Sequence, residues 1–138
     1  MASFFEMIYE GFPPLNLFYI NEFSNAMFSA DAYTSIGLIM LFSSFVLIAL
    51  YYYVFSNYGN LHKRSYWLLW LLIIAIINFA VAYTSSLSSL NNYEPSNTYT
   101  FSQYFTFSMV NVLWAVIFSF IFSLILKLKS TCASRTPF

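Results

Sequence analysis

The sequence predicts an all-α integral membrane protein of three transmembrane helices, with the N-terminus outside and the C-terminus inside. Of its 138 residues, 60% are hydrophobic and only 7% are charged, against about 45–50% and about 25% in soluble domains. Three long apolar runs contain no Asp, Glu, Lys, Arg or His, and every Lys and Arg falls in one of two short stretches between or after them. Lipid is therefore the expected solvent for a single domain of this length.

Residues 1–33 are predicted to form an outer arm of short amphipathic helices that is separate from the spans. Apolar residues recur at helical spacing on both sides of Pro13-Pro14, which ends the first helix. Peptides that lie on membranes usually carry Lys or Arg, whereas this arm carries only acids, so docking on protein is favoured. The predicted docking residues are Phe4, Phe5, Ile8, Phe12, Leu15, Phe18, Tyr19 and Phe23. They meet either a partner protein or the chain's own helices.

Three spans and their connections follow the arm. The predicted transmembrane helices occupy residues 34–55, 66–84 and 104–126, each near the ~20 residues that cross ~30 Å of hydrocarbon. Tyrosines at 51–53 mark a membrane boundary. Residues 56–65 form an inner basic loop, residues 85–103 an outer polar loop rich in Ser and Asn, and residues 127–138 an inner basic tail.

The positions of the bases predict the orientation. Cytoplasmic flanks of spans hold an excess of Lys and Arg. Lys63 and Arg64 lie in the first connection, while Lys127, Lys129 and Arg135 lie at the C-terminal end. An odd number of spans places these two stretches on the same side, which is predicted to be the cytoplasmic side of a bacterial inner membrane, or the inner side of an organellar one.

Polar residues inside the spans predict how the helices meet. At ~1.5 Å per residue, Ser43 and Ser44, Asn78 and Asn111 reach similar depths. The third span also has a small or polar residue at every fourth position, a pattern that allows close helix contact. The predicted helix-packing residues are Ser44, Asn78, Ser108, Asn111, Ala115, Ser119 and Ser123. The small and polar residues of the third span form a seam along one helix face. Three alternatives are open for this seam: it packs against the chain's own helices, it contacts a second subunit, or it lines a pore.

The sequence predicts no catalytic site and no ion path in this chain. No Asp, Glu, Lys, Arg or His lies in a span to mark a proton or ion path, His62 is the single histidine and lies beside two bases, and Cys132 is the single cysteine. No serine has an evident base partner for nucleophilic catalysis. We therefore expect no enzyme, no cofactor, no metal and no catalytic residue, and the neutral net charge argues against nucleic acid.

Two classes of function remain. The first is a non-catalytic subunit that anchors and assembles a larger secretion, injection or respiratory machine, with lipid and other membrane subunits as partners. The second is suggested by layout: with three spans, an outer N-terminus and a short inner tail bearing Lys127, Lys129 and Arg135, the chain resembles class I phage holins. That resemblance implies a membrane-permeabilising assembly of copies of the chain. A channel or transporter component is a further alternative.

Overall fold

The chain folds into helices almost throughout the part that its computed structural model describes. That part comprises residues 2–11, 21–55, 64–93 and 99–127, with side chains at 4–11, 21–55, 65–93 and 99–126. The helices are α1 (Ala2–Glu6), a π-helical turn (Met7–Gly11), α2 (Asn21–Ser29), α3 (Ala32–Tyr53), α4 (Arg64–Tyr93) and α5 (Phe101–Lys127). The prediction of a helical chain is confirmed.

Three of these helices are long and apolar enough to cross a membrane, as the sequence predicted. The apolar stretches Ala32–Tyr53, Ser65–Tyr93 and Phe101–Leu126 have mean hydropathies of 2.1, 2.1 and 2.4. Their 22, 29 and 26 residues correspond to lengths of about 33, 44 and 39 Å. Each therefore covers a hydrocarbon layer of ~30 Å.

The three long helices form an up–down–up bundle. Phe45 of α3 contacts Phe122 of α5, and Tyr33 contacts Phe107, so α3 and α5 run in the same direction. Helix α4 runs against both, because Trp67 near its start meets Phe120 near the end of α5. We name the end that carries α2 and the start of α3 the arm end, and the opposite end, where α4 begins, the loop end.

At the arm end, the N-terminal segment (residues 2–11) and α2 fold back onto the bundle. α1 contacts α3, and α2 contacts α3 and α4. Phe23 and Met27 of α2 are buried, as are Phe5 and Tyr9 of the N-terminal segment. Asp31, with a left-handed φ of 51°, separates α2 from α3 and accepts a 2.7 Å hydrogen bond from Thr34 Oγ1. These contacts form one apolar core at the arm end.

The structure corrects the prediction that residues 85–103 form a polar loop. Helix α4 continues to Tyr93, well past the predicted end of the second span. Its last turns are helical because Ser86 and Leu90 lie on the buried face, while the Ser86 hydroxyl donates to the Tyr83 carbonyl at 3.0 Å. In the same region α5 begins at Phe101, three residues earlier than predicted. Because this stretch is rich in polar residues, its sequence did not indicate a helix, although the helix contacts α2.

At the loop end a second core joins the three helices. The indole Nε1 of Trp70 donates to the Leu47 carbonyl at 2.9 Å, which connects α4 to α3. The hydroxyl of Tyr52 lies 2.6 Å from Ser123 Oγ, which connects α3 to α5. Most of the predicted basic loop and tail, residues 56–63 and 128–138, lies outside the described residues.

Candidate functional site

A line of polar side chains crosses the middle of the bundle. Ser43 Oγ of α3 donates to Asn78 Oδ1 of α4 at 3.0 Å, and Asn111 Nδ2 of α5 donates to the Asn78 carbonyl at 3.2 Å. Asn78 also donates to the Ile74 carbonyl within its own helix. A hydrogen bond between membrane helices contributes about 0.6–2 kcal/mol, and both asparagines are buried. The polar layer shared by three helices is therefore present in the structure.

Tyr9 extends this line into the N-terminal segment. Its hydroxyl donates to Asn111 Oδ1 at 2.7 Å, in a buried hydrogen bond between residues 102 positions apart. Burial raises the pKa of the Tyr9 phenol above its usual value of 10.0, and the protonated phenol is the donor in this hydrogen bond. The N-terminal segment is thus held to α5 by a polar contact as well as by apolar packing.

Gly37 of α3 provides the space into which the N-terminal segment fits. A Cβ atom at this position would lie 2.2 Å from Cδ1 of Phe5, far inside van der Waals contact. The Phe5 ring therefore rests directly on the α3 backbone, where only a glycine leaves room for it. Phe5 is 2% exposed in this position.

Aromatic rings enclose the junction between the N-terminal segment and the bundle. Tyr9 stacks on Tyr33 with ring centroids 5.5 Å apart, and both rings contact Phe107. The Tyr33 hydroxyl donates to Glu10 Oε1. A small cleft remains beside this hydrogen bond. It is lined by Tyr9, Glu10, Phe23, Ser24, Tyr33, Gln103, Phe107 and Val110.

All seven predicted helix-packing residues are buried inside the chain. Among them, Ser44, Ser108, Ala115, Ser119 and Ser123 are completely inaccessible, at 0% exposure. The Ser108 hydroxyl donates to the Tyr104 carbonyl at 2.7 Å. The seam on α5 therefore packs against the chain's own helices, which is one of the three alternatives that the sequence left open.

Leucine at position 119 is expected to destabilise the bundle. Ser119 is fully buried, so the larger side chain must push neighbouring helices apart, and overpacking of this kind costs about 1–3 kcal/mol. The matched control is Ser102→Leu, which makes the same change at an exposed site on the same helix. Thermal unfolding of the purified chain in lipid nanodiscs measures both, and equal midpoints for the two variants would contradict this packing.

The structure divides the predicted docking residues. Phe5, Ile8 and Phe23 are buried against the chain's own helices, whereas Phe4 is 50% exposed. The chain itself is therefore the docking surface for the three buried residues. The other four predicted docking residues lie outside the described part of the chain: Phe12, Leu15, Phe18 and Tyr19.

The predicted topology residues fall together at the loop end where the backbone is described. Arg64 begins α4 and Lys127 ends α5, at the same end of the bundle. Lys63 and Lys129 lie outside the described residues. Within the described residues, no three metal-binding side chains come together.

Sequence reasoning missed the residues that hold the N-terminal segment in place. Tyr9 lies on the same helical face as Phe5, four positions away, but its partner Asn111 is remote in sequence. Gly37 carried a visible signal, because an isolated glycine inside an apolar helix often marks a close approach of another segment. Glu10 and Tyr33 carried no signal of their pairing.

The fold and its apolar exterior are those expected of a three-helix integral membrane protein, closed at one end by its own N-terminal segment. No protein-family model, curated protein or solved structure matches the chain.

Proposed function

We propose that this protein is a non-catalytic subunit that anchors and assembles a larger membrane complex. The proposal rests on the arm end, which has one side packed against the bundle and one exposed apolar side. One side of the N-terminal segment and α2 packs onto the bundle, while Phe4, Met7 and Phe28 remain 50%, 59% and 46% exposed on the other. Exposed apolar groups on a segment too short to span lipid are typical of contact sites for a partner.

The exterior of the spans supports anchoring over pore formation. In the central parts of the three long helices, at positions 36–50, 68–82 and 109–126, every exposed residue is apolar. A water-filled pore between copies needs polar groups or charges on the facing surface. The described polar side chains at these depths point into the bundle, so the holin-like and channel alternatives have less support.

The proposed orientation places the arm end outside the cytoplasm of a bacterial cell. It rests on the bases at the loop end and in the tail, following the excess of Lys and Arg on cytoplasmic flanks. Reversing the charge at two positions, with Lys63→Glu and Arg64→Glu, is expected to invert or scramble insertion in a large fraction of molecules. Reporter fusions at the C-terminus measure its side, and unchanged topology with lost assembly would assign this loop to partner binding instead.

Site-specific photocrosslinking tests the proposed function. A photoreactive phenylalanine analogue replaces Phe4 in the full chain, expressed in its native membrane. We expect one protein other than this chain to be captured at Phe4. The matched control places the same analogue at Phe42, which is 73% exposed in the middle of α3 and is expected to capture mainly lipid.

Two results would contradict the proposal. In the first, Phe4 captures only copies of this chain, and expression of the chain alone collapses the membrane potential. That outcome favours a permeabilising homo-oligomer. In the second, Phe4 and Phe42 give the same lipid adducts and no protein, which removes the arm as a contact site.

A further inference from the structure

We propose that the cleft between the N-terminal segment and the bundle binds a primary ammonium group. Such a group is carried by the headgroup of an ethanolamine lipid and by small free amines. The inference goes beyond an anchoring role, because it assigns a ligand to the arm end.

The walls of the cleft suit a small cation. Four aromatic side chains line it, those of Tyr9, Tyr33, Phe23 and Phe107, together with the carboxylate of Glu10. Aromatic ring faces attract cations through their quadrupole. The two tyrosine rings stack at 5.5 Å, and Phe107 lies 5.1 Å from Tyr9 and 5.9 Å from Tyr33. The cleft thus has aromatic side chains and a carboxylate in one wall.

Hydrogen bonding leaves the carboxylate able to accept more. Tyr33 donates to Oε1 of Glu10, while a carboxylate has about four acceptor positions on its two oxygens. The Ser24 hydroxyl donates to the Tyr33 phenol in turn. An ammonium, with three donors, can therefore bind Glu10 without displacing Tyr33.

No cation of the described chain is available to Glu10. None of the described side chains is a lysine, arginine or histidine. The described backbones of Arg64 and Lys127 lie at the loop end, whereas Glu10 lies at the arm end. A half-buried carboxylate that accepts a hydrogen bond from a phenol is a favourable place for an external cation, because burial strengthens its attraction for charge.

The size of the cleft selects among cations. The cleft has a volume of about 20 Å³, counted as the space in which the centre of a water-sized molecule can lie. This volume is close to the space that one water molecule needs. An ammonium has nearly the size of water and fits this space. A trimethylammonium group is much larger, so a choline headgroup is expected to be excluded.

Native mass spectrometry of the full chain in nanodiscs tests the proposal. One set of discs contains phosphatidylethanolamine in phosphatidylglycerol, a second contains phosphatidylcholine in phosphatidylglycerol, and a third contains phosphatidylglycerol with added methylammonium. We expect the chain to retain ethanolamine lipid or methylammonium, but not choline lipid. Retention of ethanolamine lipid in the first set, without retention of methylammonium in the third, identifies the ligand as a lipid headgroup. Retention of methylammonium in the third set shows that an amine without a lipid is sufficient for binding.

Three variants distinguish the effect of the Glu10 charge on ligand retention from the effect of changes in the fold. Glu10→Gln keeps an acceptor for Tyr33 and removes the charge, and is expected to lower retention at least about tenfold, the effect of ~1.4 kcal/mol. Tyr33→Phe breaks the hydrogen bond but keeps the charge and the ring, so retention is expected to persist. Glu22→Gln removes an exposed acid of α2 outside the cleft and is expected to change nothing.

Two outcomes would overturn the proposal. One is equal retention by the unaltered chain and Glu10→Gln in both the lipid and the methylammonium discs, including no retention by either. The other is an equal loss in Tyr33→Phe and Glu10→Gln, which would mean that docking of the N-terminal segment, and not the charge, governs retention.

Discussion

Alanine at position 37 is expected to loosen the N-terminal segment from the bundle. The new Cβ would lie 2.2 Å from Cδ1 of Phe5 and 2.8 Å from its Cγ, so the whole ring must move and not only its tip. Overpacking costs about 1–3 kcal/mol, and the main effect is expected in the N-terminal segment because it is the smaller body. Thermal unfolding and protease cleavage after residue 11, both in nanodiscs, measure this change.

A smaller side chain at position 5 is expected to restore part of the loss. In Phe5→Leu/Gly37→Ala the shorter side chain leaves room for the added methyl group, so the double variant should be more stable than the sum of the single changes predicts. Gly11→Ala is the matched control, since its Cβ would meet the flexible Met7 side chain at 3.2 Å and is expected to have little effect. Additive losses, or an equal effect at both glycines, would contradict the close contact between Phe5 and α3.

Leucine at position 111 is expected to remove the hydrogen bonds that join the N-terminal segment, α5 and α4. Asn111 accepts from Tyr9 at 2.7 Å and donates to the Asn78 carbonyl at 3.2 Å. Its loss leaves the buried Tyr9 hydroxyl without its acceptor, and an unsatisfied buried polar group costs about 1–3 kcal/mol. Unfolding in nanodiscs is expected to show this loss, with the larger share in the N-terminal segment.

A double-mutant cycle tests whether Tyr9 and Asn111 act together. Tyr9→Phe removes the donor while keeping the ring stacked on Tyr33, so the double variant has no orphaned hydroxyl. We expect Tyr9→Phe alone to destabilise the chain by the net strength of one hydrogen bond, ~0.5–1.5 kcal/mol. Once Asn111→Leu is present, we expect Tyr9→Phe to restore part of the lost stability, because it removes the orphaned hydroxyl. Fully additive losses would show that the two side chains do not interact in the membrane.

The spans were predictable because their signal is local. Runs of about 20 apolar residues without charge have few alternatives to a spanning helix, and the structure has a helix at each of the three runs. The C-terminal limit of α4 was not predictable in the same way, because Ser86 and Leu90 become helical through contact with the apolar core at the arm end and not through their own composition.

The polar layer was partly predictable, and the closure of the arm end was not. Counting residues along three helices of alternating direction brings Ser43, Asn78 and Asn111 to one depth, and the structure connects them by hydrogen bonds. Tyr9 joins the same line from a segment 102 residues away from Asn111. The angle at which that segment meets the bundle depends on Gly37, whose role follows only from the shape of two packed surfaces.

Cysteine accessibility in α2 tests most directly the central claim that the arm folds onto the chain's own bundle. In a Cys132→Ser background, Ser24→Cys and Ser29→Cys make the same small change at a buried and an exposed position of one helix. Maleimide labelling of the chain in nanodiscs is expected to be at least about tenfold slower at position 24, since labelling requires local opening. Equal rates at the two positions would contradict the claim and place the arm free of the bundle.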